Sequence, residues 1–286
     1  MNHRNRSRLM LVSSMAVFGT LAPFVRNISV SSGELALYRA VLAAGLIALY
    51  LLATKQRIEL KGLGKDLMLL LLSGVAMGIN WILLFEAYKY TTVAISTLSY
   101  YFAPVIVTVV CPFFFKEKLT KKQVICFIMS TLGLALVIGI TELGSGSNNA
   151  IGIAFGLGAA CFYATVILLN KTIRSIAGIQ RTFLQFLSAV AVLTPYVLLT
   201  GGIRLGQLDG TGWICLLIVG LVHTGVTYCL YFSSLKELPG QEAAILSYID
   251  PLVAVIIGVT ILGEPLSWQQ LLGGSMILGF TLWNEL

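Results

Sequence analysis

Apolar residues fall along this chain in long unbroken runs, separated by short polar and basic segments rather than by the strict alternation of half-buried strands. The runs cover Leu9–Val25, Glu34–Ala53, Leu67–Tyr88, Thr92–Phe115, Val124–Ile140, Ala150–Leu169, Thr182–Leu199, Trp213–Leu235, Ala243–Leu262 and Trp268–Trp283. Each approaches or exceeds the roughly 17 residues a helix needs to cross a ~30 Å hydrocarbon core. The pattern predicts an all-α integral membrane protein with ten transmembrane helices. Leu9–Val25 follows the basic stretch from His3 to Arg8, as a signal peptide would. Nine more spans follow it and no small-residue cleavage site is evident, so it is read as a retained first helix.

Composition agrees: 57% of the 286 residues are hydrophobic and 11% charged, with a mean hydropathy of +0.91. A water-soluble globule could not cover itself with so few polar residues. The net charge of +7 would suggest a nucleic-acid partner if it formed a patch, but it is distributed by loop. One set of alternate loops holds Arg4, Arg6, Arg8, Lys55, Arg57, Lys61, Lys65, Lys116, Lys118, Lys121, Lys122, Lys171, Arg174, Arg181 and Lys236; the other holds only Arg26, Lys89 and Arg204. By the positive-inside rule both termini are cytoplasmic. No nucleic-acid partner is expected.

The five cysteines are dispersed through apolar spans, and the only histidines are His3 and His223. Neither a disulfide framework nor a metal centre is indicated, and no cofactor is expected. A phosphate-binding Gly-X4-Gly-Lys-Ser/Thr loop is absent from the sequence, and the loops are too short for a nucleotide-binding domain.

The two halves repeat one another at a constant offset of 147 residues: Gly78 matches Gly225, Phe85 Phe232, Tyr101 Tyr248, Pro104 Pro251, Glu117 Glu264 and Gln123 Gln270. Five helices per repeat is an odd number, so the second copy enters the membrane from the opposite side. Such inverted repeats let secondary transporters enclose a central site and open it to either face.

Charges within the apolar runs are the strongest single candidates for function, since a charge at the bilayer centre costs at least ~2.5 kcal/mol on insertion scales. These are Arg39 and Asp250. Arg39 suits a substrate carboxylate or an acidic side chain, and Asp250 a substrate amine or a proton; an ion pair that locks helices is the competing reading. Trp81, Tyr100, Tyr101, Tyr163, Tyr228 and Tyr248 are candidate solute contacts, although aromatic residues at helical spacing more often only pack. Pro104 and Pro251 interrupt the hydrogen bonding of their spans and predict kinks facing the bundle interior. Glu117 and Glu264 lie at opposite membrane faces, where each caps or pairs with neighbours or forms part of a gate. His223 reads as a neutral histidine bonded to an adjacent helix, or as a relay member. Gly74 with Gly78, and Gly152 with Gly156, have the spacing of close helix contacts.

The Tyr-X-X-Pro segments Tyr101–Pro104 and Tyr248–Pro251, the following Phe115–Thr120 and Leu262–Ser267 stretches, and Arg39 within Leu-Tyr-Arg-Ala resemble the EamA-like branch of the drug/metabolite transporter superfamily. The resemblance spans nearly the whole chain, with a first repeat over 1–142 and a second over 150–286. It implies a carrier of the bacterial cytoplasmic membrane for amino acids or similar metabolites, often an exporter, with no enzymatic activity. Small-molecule substrate, membrane lipid and protons are the implied partners, and the protein would be a monomer or homodimer. The second repeat has Gln185 near the position matching Arg39 instead of an arginine. A lipid flippase shares this architecture and is the alternative; a membrane-embedded enzyme would call for a cluster of carboxylates or histidines at one interface, and none is present in the sequence.

Overall fold

The computed structural model describes residues 3–56, 64–115, 120–138, 148–173, 175–176, 178–234, 238 and 246–286. All regular structure among these residues is helical. In chain order the helices are α1 His3–Gly19, α2 Leu21–Arg26, α3 Ser32–Ala53, α4 Gly64–Tyr90, α5 Val93–Tyr100, α6 Ala103–Phe115, α7 Lys121–Ile138, α8 Asn148–Thr172, α9 Gly178–Thr200, α10 Gly210–Leu217, α11 Thr227–Ser234, α12 Ile249–Thr260 and α13 Trp268–Glu285. A π-helical stretch, Ile218–Val226, joins α10 to α11. Seven of the described segments are long and apolar enough to cross a membrane.

Local chemistry sets where several helices begin. Ser31 accepts from the Glu34 N–H while Glu34 accepts from the Ser31 N–H, a reciprocal box that starts α3. The other Glu34 oxygen accepts from the Tyr38 hydroxyl at 3.0 Å and the Arg204 N–H at 2.7 Å, so this buried carboxylate is fully used. Ser267 and Gln270 form the same box at the start of α13. Thr92 caps α5, and Asp209 caps α10.

The long apolar runs are not uniform rods. The first predicted span breaks at Thr20, between α1 and α2. Both repeats break at matching tyrosines, Tyr101 and Tyr248, three residues before Pro104 and Pro251. Proline clashes with the preceding turn and removes a donor, so both kinks follow from the residues that predicted them.

Without water between helices, association depends on close van der Waals packing, which small residues permit. A Cβ on Gly133 of α7 would lie 2.6 Å from the Gly273 carbonyl of α13, so these backbones nearly touch. Gly74 meets Ser188 on α9, and Gly152 on α8 meets Thr91. The largest apolar core joins α3, α4, α9 and the π-helical stretch around Ile47, Phe85, Phe186 and Val219. A second lies between α5, α7, α8 and α13 around Leu98, Val137 and Ile277.

Candidate functional site

The two kinked segments, α1, α3, α4, α8, α9 and α11 surround a cavity of about 440 Å³ in the interior of the bundle. Residues of both sequence halves line it. Arg39, Trp81, Tyr100, Tyr101, Pro104, Tyr163, Tyr228, Tyr248 and Asp250, spread over more than two hundred positions of the chain, converge on this space.

Arg39 is 3% exposed, projecting from the middle of α3. Its guanidinium carbon lies 4.5 Å from the centre of the Trp81 ring and 5.3 Å from that of Phe85, and its Nε donates to the Thr224 hydroxyl at 3.1 Å. Aromatic faces stabilise a desolvated guanidinium through their quadrupoles without neutralising it. Among the described residues no carboxylate pairs with it. Thr224 is aimed by the wider π-helical turn, where its hydroxyl donates to the carbonyl five residues back, Val219, at 2.8 Å. Gly220 and Gly225 let this stretch lie against Leu42 and Leu46 of α3, which brings Thr224 to Arg39. Such π-helical insertions are frequent at functional sites.

Asp250 accepts from the Tyr101 hydroxyl at 2.6 Å, a charge-assisted bond that joins the two kinks across the repeat boundary. Among the described residues no cation forms an ion pair with it. The rest of the wall is aromatic: Tyr100 stacks on Tyr163 at 5.2 Å, and Tyr228 sits edge-on to Phe18 at 5.2 Å and Phe186 at 5.3 Å. Gln185, the residue near the Arg39-matching position, lines the cavity too and donates to Ser73 at 2.7 Å and Asn170 at 2.8 Å. Near the place taken by a cation in the first repeat, the second thus has a neutral, hydrogen-bonded amide.

Pro251 is buried beside Asp250 and is not part of the cavity wall. Glu264 is 8% exposed and away from the cavity. It pairs with Arg26 at the end of α2 and accepts from the Val93 N–H at 2.8 Å, at the first turn of α5. A helix N-terminus favours this negative charge. Glu117 lies outside the described residues. His223 is 2% exposed and hydrogen-bonded to Thr20 of the first span at 3.1 Å.

Sequence reasoning left out Asn170, Thr182 and Met77, which share the wall. Asn170 stands next to Lys171 at the end of a span and reads as an interfacial residue. Only the packing of α8 on α4, with the hydrogen bond from Gln185 of α9, turns it inward. No cluster of His, Cys, Asp and Glu able to hold a metal ion is present among the described residues.

Comparison with known proteins agrees with this arrangement of two similar halves. The model of the EamA-like transporter family matches residues 6–139 and again residues 150–284. An uncharacterized transporter of Bacillus subtilis, YxxF, is 33% identical over 270 residues, covering 93% of this chain and 85% of its own length. An uncharacterized transporter of Archaeoglobus fulgidus is 31% identical over 282 residues, covering 96% and 95%. A crystal structure of 13% sequence identity superposes with a TM-score of 0.65 over 96% of both chains, so the fold is shared beyond sequence likeness. With its helical bundle, its multiple apolar spans and both halves matched, this multi-pass membrane protein belongs to the EamA-like transporter family.

Proposed function

We propose that the protein is a secondary transporter of the bacterial cytoplasmic membrane that carries an amphipathic zwitterion of amino-acid type, in the direction of export, by alternating access. The observation that carries this reading is the cavity itself: an aromatic chamber with one guanidinium and one carboxylate, neither ion-paired among the described residues. Its volume of about 440 Å³ lies in the usual range for small-molecule sites, ~300–1,000 Å³. A buried charge without a partner costs several kcal/mol. A solute bringing both a carboxylate and an ammonium group offsets that cost at Arg39 and Asp250 together, while its apolar part rests on the tyrosines and Trp81. Asp250 also offers a place for a proton when the amine has left.

Alternating access fits a site lined by both halves. A count of ten spans is supported by the seven long apolar segments, by the paired 18-residue helices α7 and α13, and by the kinked ninth span that contains α12, while cytoplasmic termini rest on the loop charges. In that topology the Arg26–Glu264 pair belongs to the outer side of the membrane, away from the cavity wall. Glu264 comes from the second repeat, whereas Arg26 and Val93 come from the first. The contact is a clasp between halves and acts as the outer gate. Pro104 and Pro251 supply the flexible points next to the site.

The test is ligand-induced stabilisation of the purified protein, because a solute that binds only the folded state raises its melting temperature. Phenylalanine, phenethylamine and 3-phenylpropanoate share one ring and differ only in charge. Phenylalanine should stabilise most, with its advantage over the amine lost in Arg39→Ala and over the acid lost in Asp250→Asn. Equal responses to all three, unchanged in both variants, would contradict the reading. Stabilisation confined to phospholipids would favour a flippase instead.

A further inference from the structure

The break in the first helix is linked by separate routes to the stretch that anchors Arg39 and to the backbone that carries Asp250. On one side Thr20 donates to the Val17 carbonyl at 2.8 Å and is bonded to His223 Nε2 at 3.1 Å. His223 is followed in the chain by Thr224, which holds Arg39. On the other side Gly19 lies against α12, where a Cβ would fall 2.6 Å from the Asp250 carbonyl oxygen and 2.6 Å from Val253. Phe24, on the short segment after the break, packs its ring 5.0 Å from His223. The interruption is therefore wedged between the stretch that carries Arg39's anchor and the helix that carries Asp250.

We infer that the Gly19–Thr20 break, with His223, is a positioning joint that sets the placement of α3 relative to α12, and so the span between Arg39 and Asp250. Pro23 cannot donate to the Gly19 carbonyl and so opens the helix at this point, and a side chain at position 19 would push α12 outward. The π-helical register contributes as well, since it presents His223 to the break and Thr224 to Arg39 from consecutive residues. The inference rests on the reading of Arg39 and Asp250 as the solute site for its meaning, but its mechanical content does not require a solute.

The experiment uses paired spin labels at Leu49→Cys on α3 and Ile256→Cys on α12, both on the outer surface, in a background without the native cysteines. Distances are measured in liposomes with no solute added. Thr20→Val should broaden the distribution or add a second population, His223→Phe should do the same, and the double variant should add nothing further, since both remove one link. Thr20→Ser, which keeps the hydroxyl, should restore the parental distribution. Gly19→Ala should lengthen the distance, and it serves in place of Thr20→Val if that variant does not fold. Unchanged distances in these variants would overturn the joint. Failure of the zwitterion reading appears elsewhere, as unaltered solute responses in Arg39→Ala and Asp250→Asn. With both intact, Thr20→Val should weaken phenylalanine about tenfold while leaving phenethylamine and 3-phenylpropanoate within about twofold, because misplacement penalises only a ligand that must reach both groups.

Discussion

Arg39 gathers most of its surroundings from groups that tolerate a cation without cancelling it: two aromatic faces and a hydroxyl. A planar guanidinium can stack on Trp81 and keep donors free for a carboxylate, whereas an ammonium is compact and more strongly hydrated. Arg39→Lys should therefore keep the fold but weaken a carboxylate-bearing solute about tenfold, read as the shift in half-saturating concentration. Across the cavity, Tyr101→Phe removes one charge-assisted bond to Asp250, an interaction worth ~1.5–3 kcal/mol. Loss of affinity for amines and zwitterions with 3-phenylpropanoate unaffected would match this role; equal loss for all three probes would not. Both residues could be singled out from the sequence because a charge in a long apolar run has no cheap structural excuse. Asn170 and Thr182 could not, since polar residues near span ends are ordinary.

Among the helices, placement depends on small residues at crossings and on interruptions at fixed points. Gly133 and Gly273 mark the near-contact of α7 with α13. Gly133→Leu should destabilise the protein by roughly 1–3 kcal/mol, the usual cost of overpacking, seen as a lower melting temperature. Gly45→Ala, with open space around its Cβ, should leave the melting temperature unchanged or slightly higher. The same fall for both variants would show that the close approach has no special role. The proline kinks were legible because Pro104 and Pro251 carry their own geometric signature. The break at Thr20 lies three residues before Pro23, the same spacing, and was open to the same reasoning, whereas the π-helical turn at Ile218–Val226 contains no proline and was not. In that turn, contacts between distant segments override local helix preference: Gly220 and Gly225 lie against Leu42 and Leu46.

For the whole molecule, the repeat at an offset of 147 residues already implied a site between two inverted halves, and the cavity draws its wall from both. Its asymmetry was legible too, in Gln185 standing near the position that matches Arg39; what the sequence could not show is how each group is held. The first half contributes a stacked cation, and the second a neutral Gln185 and the carboxylate of Asp250. The proposed clasp follows the same logic, with Glu264 bridging to Arg26 and the start of α5. Glu264→Gln should loosen the outer end, so that a cysteine placed at Thr97 reacts several-fold faster with an impermeant maleimide added from outside. No change in that rate would remove the clasp from the gating account.

The central claim is that Arg39 and Asp250 form the site through which a zwitterion crosses the membrane. Its most direct test is counterflow of radiolabelled phenylalanine into liposomes holding the wild-type protein, Arg39→Ala or Asp250→Asn, each verified as folded. The account predicts exchange by the wild type and none above empty liposomes for either variant. Exchange at the wild-type rate by both variants would contradict it.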